Sequence, residues 1–314
     1  MAYALDPEVA AVVALMPGTP LTDIPALRGI ESTLTSALGE PDASGVDVAD
    51  LTVPGPAGAP DVTVRVYRPA GTAGTVLPLV FDIHGGGFVL GSVDMFHGGN
   101  LDLCRSLGAV VASVEYRLAP EDPYPAGLED CYAALTALVG AAADLGIDPE
   151  RVAVRGGSAG GGLAAALALL ARDRGGPRLC FQFLGFPEID DRLATPSMVA
   201  FTDTPGWNRP NAEISWDAYL GPGRRGGPDV PAYAAPSRAE DLAGLPPAYI
   251  SVMQFDPLRD EGIAYAQALL AAGINVELHL FPGTFHGSGL ARHAEVSRRE
   301  RAEEIAVLRR ALFG

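Results

Sequence analysis

Hydrophobic positions along the chain change their period several times, and each change marks an element. In the first forty residues Leu5, Val9, Val12 and Met16 recur at helical spacing. Ile30, Leu34 and Leu38 carry a helical stripe on past the Pro-Gly-Thr-Pro break at 17–20. Residues 39–60 are a Pro/Gly-rich stretch, and Val-Thr-Val-Arg-Val-Tyr at 62–67 then alternates as a half-buried strand does. From there strands and helices alternate. Apolar runs at 77–83, 109–114, 151–155, 180–184, 248–253 and 276–281 predict strands, and the patterns at 126–145, 159–172, 260–272 and 292–312 predict helices. The first two runs are apolar on both faces apart from Pro78, Asp82 and Ser113. Such runs, separated by helices, predict an α/β fold with a mostly parallel sheet covered on both sides.

One segment breaks this rhythm. Between 187 and 245, Trp207, Trp216 and Tyr219 stand among many Pro and Gly residues with no strand signal. That is too long for an ordinary connection, and its aromatic residues argue against plain disorder. A lid or cap over a site is expected, with the N-terminal helices packed beside it. No internal repeat is visible.

Composition narrows the chemistry. The chain has 314 residues, 48% hydrophobic and 19% charged, enough for a large core. All 22 basic residues are arginine, which excludes Schiff-base lysines, Walker-type phosphate loops and Ser-Lys hydrolases. A net charge of −16 with no basic cluster makes nucleic acid a poor partner. The longest uninterrupted apolar run, at 163–171, is half of what a membrane span needs, and the first basic residue is Arg28, after Asp6 and Glu8. A cytoplasmic location is therefore expected, without membrane partners. Cys104, Cys131 and Cys180 have neither metal-ligand nor disulfide-framework spacing.

Gly156-Gly157-Ser158-Ala159-Gly160 fits the G-x-S-x-G nucleophile elbow, in which a serine sits on a strained strand-to-helix turn. Chance alone supplies about 0.2 such matches at this composition, so the strand before it and the helix after it carry the weight. His84-Gly85-Gly86-Gly87 ends an earlier strand, and such glycines present bare backbone N–H groups to developing negative charge. The Ala159 N–H, at the positive end of its helix, is a further donor.

A serine nucleophile needs a base, and the base needs an orienting group. Of five histidines, His84 belongs to the glycine motif, His97 and His293 lie in polar loop or helix surroundings, and His279 falls inside a strand. His286 follows the last strand at the sheet edge where open α/β sheets place their sites, and is the expected base. Asp256 stands at the exit of the strand at 248–253. It can orient His286 with one oxygen while capping the helix expected from Pro257 with the other. Asp260, inside the first helical turn, is less free. The order Ser158, Asp256, His286 is that of α/β-hydrolases. The spacing of seven between His279, His286 and His293 crosses three elements and builds no metal site, and Gly156 to Gly162 lacks dinucleotide-binding spacing.

With these residues in view, His84-Gly-Gly-Gly-Phe88, Glu115-Tyr-Arg-Leu-Ala-Pro-Glu121, Gly156-x-Ser158-Ala-Gly-Gly161, Asp256-Pro-Leu-Arg-Asp-Glu-Gly262 and His286-Gly287 together resemble the bacterial hormone-sensitive-lipase family of esterases. The resemblance runs over nearly the whole chain. It implies one α/β-hydrolase domain over 1–314, with a helical cap from about 1–45 and about 188–235. It further implies Ser158, His286 and Asp256 as the catalytic triad, and Gly86, Gly87 and Ala159 as oxyanion donors. Many members dimerise, which leaves room for a homodimer here. Gly157 stands where the family commonly has an acidic residue. Ser288 stands where it often has a bulky aromatic, which would enlarge the pocket beside the base.

The expected function is a carboxylesterase, without metal or cofactor, acting on small-molecule esters from acetyl to about butyryl with room for a bulky or aromatic alcohol. Phe88, Trp207, Trp216 and Phe285 are the expected pocket walls. Two alternatives remain at this point: a non-catalytic binding protein on the same fold, and an amidase or thioesterase using the same triad.

Overall fold

The computed structural model describes residues 3–13 and 21–314. Met16 and the break at 17–20 lie outside the described residues. Among the described residues eight strands form one sheet: β1 (Val46–Val53), β2 (Val62–Pro69), β3 (Leu77–Ile83), β4 (Val110–Glu115), β5 (Ile147–Gly157), β6 (Phe181–Gly185), β7 (Ala248–Phe255) and β8 (Val276–Phe285). Their order is β1-β2-β4-β3-β5-β6-β7-β8. The pairings of β2 with β1 and with β4 are antiparallel, and every pairing from β4 through to β8 is parallel. The helices are α1 (Pro7–Val13), α2 (Ile24–Leu38), α3 (His97–Leu107), α4 (Ala126–Gly140), α5 (Ala142–Leu145), α6 (Ala159–Asp173), α7 (Pro196–Ala200), α8 (Arg209–Leu220), α9 (Arg259–Ala271) and α10 (Glu295–Phe313).

The chain builds this sheet because its central strands are apolar on both faces. Six of the seven β3 residues are buried, as are the first five of β4. Leu79, Phe81 and Ile83 enter a cluster shared with Leu128 of α4, Leu167 of α6 and Leu269 of α9. On the other face Val80 and Val111 pack with Leu101 of α3 and Leu308 of α10. Truncating a buried leucine in such a core costs roughly 2–5 kcal/mol, so each layer is tightly specified.

Differences from the pattern reading have local causes. β1 falls within the Pro/Gly-rich stretch and gives no alternation, because only Val46 and Val53 are buried on this edge strand. Helix α3 is hidden by Gly98 and Gly99, poor helix formers in its first turn. The helix expected over 126–145 breaks after Gly140 into α4 and α5. β8 continues through Pro282-Gly283 to Phe285, since the pairing shifts register between Met253 and Phe255 and β8 has only one hydrogen-bonded neighbour. The long segment without strands holds α7, α8 and a 3₁₀ turn at Pro236–Arg238, and Trp216 is fully buried within it.

Candidate active site

Four strands deliver chemistry to one edge of the sheet, each at its C-terminal end. β3 runs into His84-Gly-Gly-Gly87, β5 into Ser158, β7 into Asp256 and β8 into His286. Parallel pairing of β3, β5, β6, β7 and β8 is what brings the four ends together.

Ser158 occupies the turn between β5 and α6 with φ 58° and ψ −127°, a strained conformation for a residue with a side chain. The strain is held by its backbone: the N–H donates to the Gly185 carbonyl at 2.9 Å, and the carbonyl accepts from Gly162 and Glu188, both at 3.0 Å. Gly160 is required here, because a Cβ on it would lie 2.1 Å from the Ile83 carbonyl oxygen. Helix α6 is buried all round and is built almost wholly of Ala, Gly and Leu, which lets it seat directly against the sheet.

Ser158 Oγ lies 2.9 Å from His286 Nε2, and His286 Nδ1 lies 2.7 Å from Asp256 Oδ2. The Asp256 carboxylate can only accept, so Nδ1 carries the ring proton and Nε2 is left to accept from the serine hydroxyl. Asp256 Oδ1 accepts from the Leu258 N–H at 2.9 Å. Both oxygens are therefore engaged as expected, although the helix that follows begins at Arg259 and not at Pro257. Asp256 is wholly buried, whereas the His286 ring keeps 11% of its surface exposed.

The glycine loop lies beside this chain of bonds. Among the described residues the N–H groups of Gly86 and Gly87 have no hydrogen-bond partner, and Ala159 is the first residue of α6, where N–H groups lack helical acceptors. His84 is buried between Tyr116 and Phe96, at ring separations of 4.3 and 5.8 Å. Burial pushes its pKa down to about 4, so the ring is neutral at pH 7 and its Nδ1–H donates to the Gly85 carbonyl at 2.9 Å. It is a brace for the loop. Arg28 of α2 reaches the same region, donating to the Val89 and Ala119 carbonyls at 2.8 Å, while Glu31 accepts from the Gly91 N–H at 3.2 Å.

The expected pocket residues divide. Trp207 is close to the chemistry: its ring centroid is 5.7 Å from that of His286, and a Cβ on Gly87 would come within 2.5 Å of its ring. Phe88 stacks on Tyr219 at 4.0 Å and packs against Trp216. Phe285 is buried in a cluster with Val9, Met253 and Phe281, and Ser288 is buried against the Met253 sulfur at 3.9 Å. The other histidines lie apart: His279 bonds Glu303 at 2.6 Å, His97 bonds Tyr67 at 3.0 Å, and the His293 carbonyl accepts from Arg298.

Several residues beside the chemistry gave no sequence signal. Phe186 meets the His286 ring edge-on at 5.1 Å, and Glu188 and Ser215 join the glycine loop to the α8 helix. Among the described residues no group of His, Cys, Asp and Glu is arranged to hold a metal ion.

Known proteins extend this picture. The profile of the alpha/beta hydrolase fold family matches residues 80–289. The solved structure of a bacterial heroin esterase is 50% identical, with a TM-score of 0.96 and 99% of each chain covered. The carboxylesterase NlhH of Mycobacterium tuberculosis is 41% identical over 267 residues, 81% of this chain and 80% of the relative. The esterase LipI of the same organism is 39% identical over 285 residues, 90% of this chain and 88% of the relative. The non-catalytic alternative finds no support among these relatives. With its mostly parallel sheet, its strained serine turn and esterases as relatives over nearly its full length, the chain belongs to the alpha/beta hydrolase fold family, in its hormone-sensitive-lipase-like branch.

Proposed function

We propose that this carboxylic ester hydrolase uses Ser158 as nucleophile, His286 as general base and Asp256 to orient and charge-stabilise the imidazole. The observation that carries the proposal is the unbroken pair of bonds Asp256–His286–Ser158, at 2.7 and 2.9 Å. His286 Nε2 takes the hydroxyl proton as Oγ attacks the ester carbonyl. The N–H groups of Gly86, Gly87 and Ala159 receive the oxyanion, and His286 returns the proton to the departing alcohol. Water then enters with the same histidine as base, releasing the acid and restoring Ser158.

For substrate, the proposal is an acetyl to about butyryl ester with a bulky or aromatic alcohol. Trp207 crowding both Gly87 and His286 favours a short acyl group, and a relative named for heroin favours a large alcohol. The reading includes a single domain capped by about 1–45 and about 188–235, a cytoplasmic location and a homodimer. No helix among the described residues is long and apolar enough to cross a membrane.

Ser158→Ala tests the assignment. Folding should be unchanged while turnover of 4-nitrophenyl acetate falls by several orders of magnitude. Turnover retained by the folded variant would mean another nucleophile. Comparable rates on emulsified long-chain triglycerides would overturn the substrate proposal.

A further inference from the structure

Behind the glycine loop lies a carboxyl group that the reaction above does not use. Glu188 follows β6, is fully buried, and its backbone N–H bonds the Ser158 carbonyl. Its Oε1 is 3.1 Å from Ser215 Oγ of α8, and that same Oγ is 2.9 Å from the Gly87 carbonyl. Proton counting limits these contacts to two arrangements. A serine hydroxyl has one hydrogen, and a peptide carbonyl can only accept. If Ser215 donates to Gly87, its contact with Glu188 is a bond only when Glu188 is the donor, which requires a protonated carboxyl. If Glu188 is ionised, it competes with Gly87 for the one hydrogen and two buried acceptors face each other.

We propose that Glu188 is a positioning residue of the oxyanion loop: a neutral acid that donates to Ser215, so that Ser215 is free to donate to the Gly87 carbonyl and fix the peptide whose neighbours receive the oxyanion. The surroundings favour the neutral form. The ionisable groups that interact electrostatically with Glu188 among the described residues are Asp256 at the end of β7, Glu261 on α9, Tyr116 after β4 and Tyr219 on α8, none of them cationic. Burial is the largest influence on its pKa and, with a smaller push from the Asp256 charge, raises it to about 8; the Ser215 contact acts in the opposite direction, more strongly than Asp256 but less than burial. Its Oε2 has no partner, which a neutral carbonyl oxygen tolerates far better than a carboxylate does.

As pH rises through about 8, Glu188 loses its proton, Ser215 turns to the carboxylate, and the Gly87 carbonyl is released. The new negative charge also opposes the oxyanion. Turnover should therefore fall on the alkaline side, where an imidazole base alone would leave it level.

The inference rests on Ser158, His286 and the glycine loop acting as proposed, and the experiment separates the two. The kcat–pH profile of the intact enzyme is compared with that of Glu188→Gln, whose amide still donates to Ser215 but cannot ionise. The wild type should lose about tenfold in kcat between pH 7 and 9, with KM little changed. Glu188→Gln should show no such fall, and Ser215→Ala should remove it while lowering kcat at pH 7. Equal alkaline falls in wild type and Glu188→Gln, in enzymes that both react through Ser158, would overturn this inference alone. Wild type lacking reactivity at Ser158 would instead overturn the triad. Infrared difference spectra, wild type minus Glu188→Gln at pH 7, give a second readout in the absence of turnover. A protonated-acid C=O band should stand as a positive feature in the difference, the bands of other buried acids such as Glu261 cancelling, and a difference without it would contradict the proposal.

Discussion

At the residue scale, Asp256 decides how His286 behaves. Asp256 is buried with one oxygen on the ring and the other on the Leu258 N–H, so it cannot rotate away without losing two bonds. Asp256→Asn should preserve the fold yet lower kcat by roughly 10³–10⁴, because an amide in that place favours the wrong imidazole tautomer. Stopped assays with circular dichroism on the same sample check both halves; a loss under tenfold would show that the aspartate is dispensable. Gly87 is equally constrained. With φ 58° and the Trp207 ring 2.5 Å from where a Cβ would stand, Gly87→Ala must displace either the loop or the tryptophan. A fall of about 10²–10³ in kcat is expected, the usual consequence of misplacing an oxyanion donor, and unchanged kcat would remove Gly87 from that role.

At the scale of elements, α6 shows most directly how sequence becomes site. Its small residues let it rest on β3 and β5, and Gly160 touches the Ile83 carbonyl so closely that a methyl group has no room. Gly160→Ala should destabilise by at least ~2 kcal/mol, visible as a lower denaturant midpoint at constant m-value, and an unchanged midpoint would refute the packing argument. This tightness also explains what could be read in advance. Gly-x-Ser-x-Gly, the glycine run and a histidine after the last strand are local requirements of backbone geometry, so Ser158, Gly86, Gly87 and His286 stood out in the chain. Glu188, Ser215 and Phe186 did not, because their importance comes from distant segments meeting: Ser215 is 128 residues from the carbonyl it holds. Likewise β3 and β4 were legible as two-sided apolar runs, and β5, β6 and β7 as shorter apolar runs between helices. β1 was obscured because it buries only its two end residues, and the end of β8 because Pro282-Gly283 reads as a break although Thr284 and Phe285 beyond it are buried.

At the scale of the whole molecule, burying carboxyl groups ties stability to pH. Glu188 and Glu261 are both buried and both raised by desolvation, Glu188 to about 8 from an ordinary value of 4.5. In the window between those two values the folded protein holds a proton at Glu188 that the unfolded chain has released. Its contribution is therefore complete below about pH 4.5 and is lost as pH rises through about 8. Tm should fall between pH 6 and 9, and less steeply in Glu188→Gln; parallel curves for the two proteins would contradict the assignment. His84 works in the opposite sense. Its lowered value means its contribution is full above the ordinary 6.5 and is lost as pH falls toward about 4.

The most direct test of the central claim is intact-protein mass after treatment with a small fluorophosphonate, followed by peptide mapping and residual turnover of 4-nitrophenyl acetate. One adduct per chain, on Ser158, with activity lost in proportion to labelling, is the predicted result. Active folded protein that takes no label, or takes it at another residue, would contradict the account.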